Sequence, residues 1–249
     1  MIILKSPEEL LRMRPACRMA ANVLAAVGRA ITPGMATGEL DALAAAMIER
    51  LGGESAFFGY RGYPGHVCLS VNDEVVHGIP GRRRIELGDI VSIDVGVRYD
   101  GYVGDTAMTV MVGVFDPEVI RLVTVTKNAL TAGIAAARIG GRVSDISYAI
   151  ECCAQAAGFS VVRDFVGHGV GKSMHEDPQV PNFGKPGRGA MLKAGMTLAL
   201  EPMLNMGGYE VDVMDDRWTV RTRDRRPSAH FEHTIAIVED GAEVLTTPD

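Results

Sequence analysis

"SIDVGVRYDGYVGDTAMTV", Ser92 to Val110, reads as two β-strands around a tight turn, and each strand carries an aspartate where the pattern asks for a residue that packs. Asp100-Gly101 is a strong two-residue hairpin signal, because both residues tolerate the positive φ of a type I′ turn. With those two as the turn, Tyr99 pairs with Tyr102, Asp94 lies opposite Ala107, and Asp105 lies opposite Gly96. Side chains alternate with period two, so Ser92, Asp94, Gly96, Asp105, Ala107 and Thr109 share one face. Ile93, Val95, Val97, Met108 and Val110 share the other, which reads as core. The two acids are then diagonal neighbours, roughly 7–8 Å apart at Cα, and their small partners leave room above them. The hairpin alone is equally compatible with two solvated acids and with a site.

The rest of the chain repeats this pattern. "SPEEL" opens a first helix, with Ser6 as cap, Pro7 as first residue and Glu9 closing a capping box. That helix ends near Ala30, and a second begins after Thr37. "DPEV" opens a helix again, with Asp116 as cap and Pro117 as first residue; it ends near Ala137, and the next begins after Ser144. An offset of 107 residues carries Ala30, Gly34 and Thr37 onto Ala137, Gly141 and Ser144, and "IELGDIVSID" (Ile85–Asp94) onto "LKAGMTLALE" (Leu192–Glu201). Asp94 thus falls on Glu201. After an insertion of about 20 residues, "GDTAMTV" finds its echo in "FEHTIAIV", so Asp105 corresponds to Glu232. Two halves, about 1–112 and 113–249, would therefore bring four carboxylates around one pseudo-twofold axis within a single domain spanning 1–249.

Two like charges 4 Å apart cost roughly 4 kcal/mol at an effective dielectric near 20. Four converging carboxylates could not all stay ionised in a partly buried site without cations. Two divalent ions would balance Asp94, Asp105, Glu201 and Glu232, and bridging carboxylates suit ions about 3.5–4 Å apart. Among six histidines, His168 sits between two glycines in "VGHGVGKSMHEDP", His175 follows on the same segment, and His77 ends an apolar strand in "VVHGIP". His66, His230 and His233 lack such a context and read as surface residues or outlying supports. No HExxH helix is present, so this is not a zincin-type site.

The whole chain sets further bounds. A length of 249 residues allows ample core, and the net charge of −6 gives no electrostatic footprint for nucleic acid. Arg82, Arg83 and Arg84 read as a solvated turn. No apolar run reaches membrane-spanning length, and "MIILKSPEEL" does not read as a signal peptide. None of the four cysteines forms a CxxC pair, and Cys152-Cys153 read as packed small hydrophobes on a helix. A reduced, cytoplasmic setting is expected.

Five motifs in order, "VVHGIP", "GDIVSIDVG" with "GDTAMT", "GHGVGKSMHEDP", "LALEPM" and "RWTVRTRDRRPSAHFEHTIAI", make the chain resemble the type I methionine aminopeptidases of the M24 metallopeptidase family. The resemblance covers nearly the whole chain. It implies an α+β pita-bread (creatinase/aminopeptidase) fold, two pseudo-symmetric halves of helices packed on a curved antiparallel sheet. It implies a metal set of Asp94, Asp105, His168, Glu201 and Glu232 around two divalent ions, Co²⁺, Mn²⁺, Fe²⁺ or Zn²⁺. Asp94 would chelate one ion, Asp105 and Glu232 would bridge both, and His168 with Glu201 would complete the other. A metal-bridging water or hydroxide would then attack the carbonyl of an N-terminal methionine. His175 would donate to the oxyanion, His77 would contact the scissile amide nitrogen, and Glu201 would shuttle the proton.

The resemblance further implies a methionine side-chain pocket from Phe57, Tyr60, Tyr63, Cys68, Met174 and Trp218, with a small second residue preferred. Phe57 stands where the family often has cysteine, and Met174 where phenylalanine is common. Some relatives hold a monovalent cation (Na⁺ or K⁺) on carbonyls matching Asn72, Glu74 and Ser228. The implied partners are N-terminal Met peptides and nascent polypeptides, with transient ribosome contact left open, no nucleic acid, no membrane, and a monomeric chain. Two alternatives stay open here. One is an X-Pro peptidase on the same fold, whose relatives usually carry a long extra amino-terminal domain. The other is a non-catalytic module that binds protein or RNA, which should have lost metal ligands.

Overall fold

A computed structural model describes all 249 residues. Four helices carry the repeat: α1 (Pro7–Ala30), α2 (Thr37–Arg50), α3 (Pro117–Ala136) and α4 (Val143–Ala156). α1 starts with the expected capping box, Glu9 N–H donating to Ser6 Oγ at 3.2 Å and Ser6 N–H to Glu9 Oε2 at 3.1 Å. Asp116 caps α3 through Glu118 N–H at 2.8 Å. α2 and α4 begin earlier than the sequence reading placed them. Glu39 and Asp145 reach back to the N–H groups of Ala36 and Arg142 at 2.6 and 2.7 Å, and these bonds fix the starts at Thr37 and Val143. The left-handed turn residue before each is Gly34 (φ 92°) and Gly140 (φ 83°), so the partner of Gly34 is Gly140 and not Gly141. The helical parts of the two halves are therefore one residue out of step with the strand parts.

Six strands form the working part of a nine-stranded sheet: β1 (Cys68–Val71), β2 (Ile90–Tyr99), β3 (Tyr102–Met111), β4 (Gly167–Gly169), β5 (Thr197–Leu200) and β6 (Glu232–Val238). Their order across the sheet is β1-β2-β3-β6-β5-β4, every neighbour antiparallel. Read backwards, that order exchanges the halves, β2 for β5 and β3 for β6. The pseudo-twofold therefore passes between β3 and β6. The hairpin register is the expected one, with Tyr99 on Tyr102, Asp94 on Ala107 and Gly96 on Asp105. Asp100 (φ 48°) and Gly101 (φ 78°) make the turn.

One sheet face is core. Ile93, Val95 and Val97 pack on Ala20, Val23, Leu24 and Val27 of α1 and on Leu40, Ala44 and Ile48 of α2. In the second half Leu198, Leu200, Ile235 and Ile237 pack on Leu122 and Leu130 of α3 and on Ile146 and Ile150 of α4. α3 has the length and apolarity of a membrane span. It uses one face for this core and carries Glu118, Arg121 and Lys127 on the rest. Cys153 packs beside the α4 core, but Cys152 is exposed, because the adjacent position on a helix turns about 100° away. Arg82, Arg83 and Arg84 are exposed, as expected of a turn, although Arg83 also reaches Glu74 at 2.9 Å.

α1 lies so close to the hairpin that a Cβ on Gly104 would stand 2.3 Å from Cys17 Cα. Backbone cannot move aside as a side-chain tip can. Gly104→Ala is therefore expected to cost about 1–3 kcal/mol of stability, measured as a lower urea midpoint with unchanged denaturant slope.

Candidate active site

The opposite face of the sheet is concave and carries the acids. Asp94 comes from β2, Asp105 from β3, Glu232 from the first position of β6, and Glu201 follows directly on β5. His168 lies in β4. Register brings them together: Asp94 and Glu232 flank Ala107 from the two sides, and the His233–Leu200 pairing sets Glu201 beside Glu232. Asp105, His168 and Glu232 offer ligand atoms that all lie within 4.8 Å of one another. His168 Nε2 stands 3.7 Å from Asp105 Oδ2 and 3.5 Å from Glu201 Oε1.

This is a costly arrangement for a protein without cations. Asp105 and Glu232 are each 2 % exposed. Asp94 Oδ1, Asp105 Oδ1 and Glu232 Oε1 are buried without any hydrogen-bond partner. Burial pushes the Asp94 carboxyl up to about 7. Burial, then the neighbouring acids, hold Asp105, Glu201 and Glu232 well above the carboxylate range. His168 faces the other way electrically: burial, then His175, lowers it to about 4, so its ring is neutral. Its Nδ1 lies 2.8 Å from the Gly169 carbonyl. A carbonyl can only accept, so Nδ1 carries the hydrogen and the Nε2 lone pair points at the acids. Orphaned carboxylate oxygens plus a free imidazole lone pair fit hard to borderline divalent cations.

Above the acids lies a cavity of about 260 Å³. Asp94, Asp105, His168, Glu201 and Glu232 form part of its lining, and so do His77, His175, Phe57, Tyr60, Tyr63, Cys68, Met174 and Trp218. Every residue singled out in the sequence for the divalent ions or the substrate thus lines one cavity, whereas Asn72, Glu74 and Ser228 lie outside its lining. The loop "AFFGYRGYP" supplies much of the wall because Gly59 (φ 78°) and Gly62 (φ 87°) turn it sharply. Phe57 rests on bare backbone: a Cβ on Gly96, opposite Asp105, would lie 2.5 Å from its ring. Tyr63 packs edge-on against Phe57 (6.5 Å) and Trp218 (5.0 Å). Phe58 turns outward onto His66 instead. Burial, then Asp94, pushes the Cys68 thiol well up, so it stays a neutral wall group.

His77 holds a positive φ of 59°, a strained conformation for a non-glycine residue. The next residue, Gly78, packs so closely on β1 that a Cβ there would lie 2.3 Å from the Leu69 carbonyl oxygen. Burial, then His175, lowers His77 to about 4. His175 stands at the rim, its ring centroid 4.2 Å from that of His168 and its Nδ1 2.9 Å from the Tyr60 hydroxyl. Burial, then Arg61, lowers its pKa.

Sequence reading missed three contributors, Arg61, Phe165 and Asn182, and left His230 between surface and outlying support. Arg61 and Phe165 complete the cavity wall. His230 is 2 % exposed, with Nε2 unpartnered and 3.9 Å from Glu201 Oε2, so it is no surface residue. Asn182 Nδ2 donates to the Glu201 carbonyl at 3.0 Å and fixes that turn. None carries a sequence signal, because each gains its role only from the fold. His233 bonds Thr246 at 2.9 Å, on the side away from the acids. Asn72 and Ser228 meet through Ser228 N–H on the Asn72 carbonyl at 2.9 Å.

The model of metallopeptidase family M24 matches residues 11–239. A methionine aminopeptidase of Clostridium perfringens is 48 % identical over 246 residues, 99 % of both chains. The crystal structure of methionine aminopeptidase from Thermotoga maritima superposes with a TM-score of 0.98 at 45 % identity, covering 99 % of this chain and 100 % of that one. The chain belongs to metallopeptidase family M24, in its methionine aminopeptidase branch. Its architecture is the family's pita-bread fold. A prolidase of Pyrococcus furiosus shares that fold at a TM-score of 0.82 and 24 % identity, with 99 % of this chain covering 66 % of the prolidase.

The acid cluster sets a pH dependence. A carboxylate whose folded pKa is raised keeps its proton natively where the unfolded chain has lost it, so stability is fully present below about pH 4 and declines as pH rises through the folded value. For Asp94 that value is about 7. The buried histidines slope oppositely below about pH 6.5, so the clean measurement is the effect of metal. Stabilisation by Mn²⁺, read as a melting-temperature shift, is expected to grow from about pH 5.5 to about pH 8. A shift that shrinks over that range contradicts a carboxylate cluster.

Proposed function

We infer that this chain is a metal-dependent methionyl aminopeptidase that removes N-terminal methionine from peptides and nascent proteins ahead of a small second residue. The observation that carries the reading is one cavity whose floor is a cluster of orphaned carboxylates and whose walls are aromatic and sulfur side chains. Asp94, Asp105, His168, Glu201 and Glu232 would hold two divalent ions there. When bound, such ions lower the pKa of water and polarise a scissile carbonyl.

The chain's own residues do the rest. Phe57, Tyr63, Cys68, Met174 and Trp218 take the methionine side chain, and thioether–aromatic contacts reward sulfur over a branched aliphatic group. The Tyr60 hydroxyl stands 2.9 Å from His175 Nδ1, and with that hydroxyl as donor the ring hydrogen is on Nε2. That N–H donates to the oxygen on which negative charge develops. His77, held neutral at the cavity wall between Phe165 and Trp218, contacts the departing amide nitrogen. Glu201 has a pKa raised by burial, then by Asp94, which suits a carboxylate that takes a proton from water and delivers it to the leaving amine. The physiological setting in this reading is the cytoplasm, where the monomeric enzyme meets nascent chains.

Met-Ala-Ser is expected to be cleaved and Leu-Ala-Ser scarcely. Chelation abolishes the activity, and Mn²⁺ or Co²⁺ restores it. Activity that survives exhaustive dialysis against EDTA would falsify the metal-dependent mechanism. His77→Ala is expected to keep its metal content by elemental analysis while kcat falls by about 10²-fold or more. Loss of metal in that variant would instead make His77 a ligand.

A further inference from the structure

We propose that Lys5 is a positioning residue that holds His175 in place through Glu176; the proposal rests on the aminopeptidase reading. His175 ends the loop that leaves β4 after Gly169 and returns as the strand Glu176–Val180. Pairing between the two strands slips at His168/Gly169, which sets Gly169 opposite Glu176. Backbone bonds carry on from His168 to Val170, whose N–H donates to the Thr197 carbonyl at 3.1 Å, and to Gly171, whose carbonyl accepts from Val103 N–H at 2.8 Å, and leave residues 172–175 to be held by other means.

Two anchors hold His175. Its ring is held by the Tyr60 hydroxyl at 2.9 Å. Its backbone is held by the next residue: Glu176 Oε1 accepts from Ser173 N–H at 3.2 Å, and Oε2 accepts from Lys5 Nζ at 2.6 Å. The ion pair is nearly dry, with Lys5 4 % and Glu176 6 % exposed at the side chain. Lys5 is fixed in turn. Its N–H donates to the Gly195 carbonyl at 2.7 Å, and Nζ also donates to the Ile3 carbonyl at 3.3 Å.

Two glycines clear the space. A Cβ on Gly171 would lie 2.5 Å from Lys5 Cε and 2.7 Å from Glu176 Oε1, and one on Gly195 would lie 2.5 Å from the Lys5 carbonyl oxygen. Gly171 in the loop thus leaves room for the lysine side chain, and Gly195, in the turn before β5 with a φ of 84°, leaves room for its backbone. Stability alone does not explain this, because a buried ion pair is often no better than an apolar pair of the same volume. What it supplies is geometry. With Lys5 gone, the Glu176 carboxylate keeps a single amide donor in a dry site and turns towards water, which frees Ser173 and lets His175 drift. A displacement of about 1 Å at a reacting group can cost about 10²-fold. His168 stays on its strand, so the metal site is not disturbed.

The test is a double-mutant cycle. Lys5→Met in the otherwise unchanged chain is expected to lower kcat on Met-Ala-Ser by about 10-fold or more, with KM within about twofold and metal content unchanged. In a His175→Ala background the same change is expected to alter kcat by less than about twofold, because the group it positions is gone. Glu176→Gln, which keeps the shape and loses the charge, is expected to show the same non-additivity and stands in should Lys5→Met fold poorly. Amide exchange at residues 171–176 should quicken by about 10-fold in either variant while Gly167–Gly169 stays protected. Equal losses in both backgrounds, metal loss, or unchanged exchange at 171–176 overturns the proposal. An unmodified chain inactive on Met-Ala-Ser overturns the aminopeptidase reading and the catalytic part of the proposal, while the exchange result still decides the anchor.

Discussion

Everything in this molecule answers to the repulsion among four carboxylates aimed at one point. Asp94, Asp105, Glu201 and Glu232 are buried deeply enough that three of their oxygens have no partner at all. Desolvation and repulsion by neighbouring acids act in the same direction on Asp105, Glu201 and Glu232, burial alone raises Asp94, and all of these favour the neutral acid. A fold that needed only stability would fill such a site with apolar groups. Keeping four acids there makes sense only where cations complete the charge, and the free Nε2 of His168 adds a neutral donor to the same set.

The duplicated architecture makes that convergence possible. Each half contributes two acids, one from each member of an antiparallel strand pair, and the pseudo-twofold runs between β3 and β6, where the halves meet. Hydroxyls take over part of the ladder at this seam. Thr234 Oγ1 donates to the Asp105 carbonyl and Thr106 Oγ1 to the Glu232 carbonyl, both at 2.8 Å. Thr109 Oγ1 donates to the His230 carbonyl at 2.9 Å. The seam is thereby satisfied beside the charged cluster, so the cost is confined to the carboxylates, where a ligand can offset it.

Around this rigid floor the protein sets less regular groups. His77 occupies a strained backbone position, next to a Gly78 that has no room for a side chain against the Leu69 carbonyl. His175 sits outside the ladder and depends on Tyr60 and on the Lys5–Glu176 pair. Phe57 and Met174, the two departures from the usual family residues, both face the cavity. Phe57 is accommodated because Gly96 offers no side chain beneath it. The floor comes from strands and most of the cavity wall from loops, a division that fits a rigid scaffold with more variable surroundings.

Local rules were enough to read the hairpin, its turn, its register and its two faces from the sequence. Asp100-Gly101 permits few conformations, and period two leaves no freedom in which side chains share a face. The duplication was legible too, through the shared spacing of helix ends and acids, although a one-residue slip between helices and strands was not. Side-chain caps by Glu39 and Asp145 decide that slip, and their reach is three-dimensional. Asn182, Arg61 and Phe165 had no pattern to announce them, and nothing in the sequence decided whether His230 was a surface residue or a support. A residue such as His230 becomes part of the site only because the insertion returns it beside Glu201, 29 positions away in sequence and 3.9 Å away in space. Sequence alone determined which groups must share a face, since that follows from bonds between neighbours. Only the tertiary structure decided which faces meet and how dry their meeting point is, because burial and Coulomb energy depend on distances between residues the chain does not place side by side.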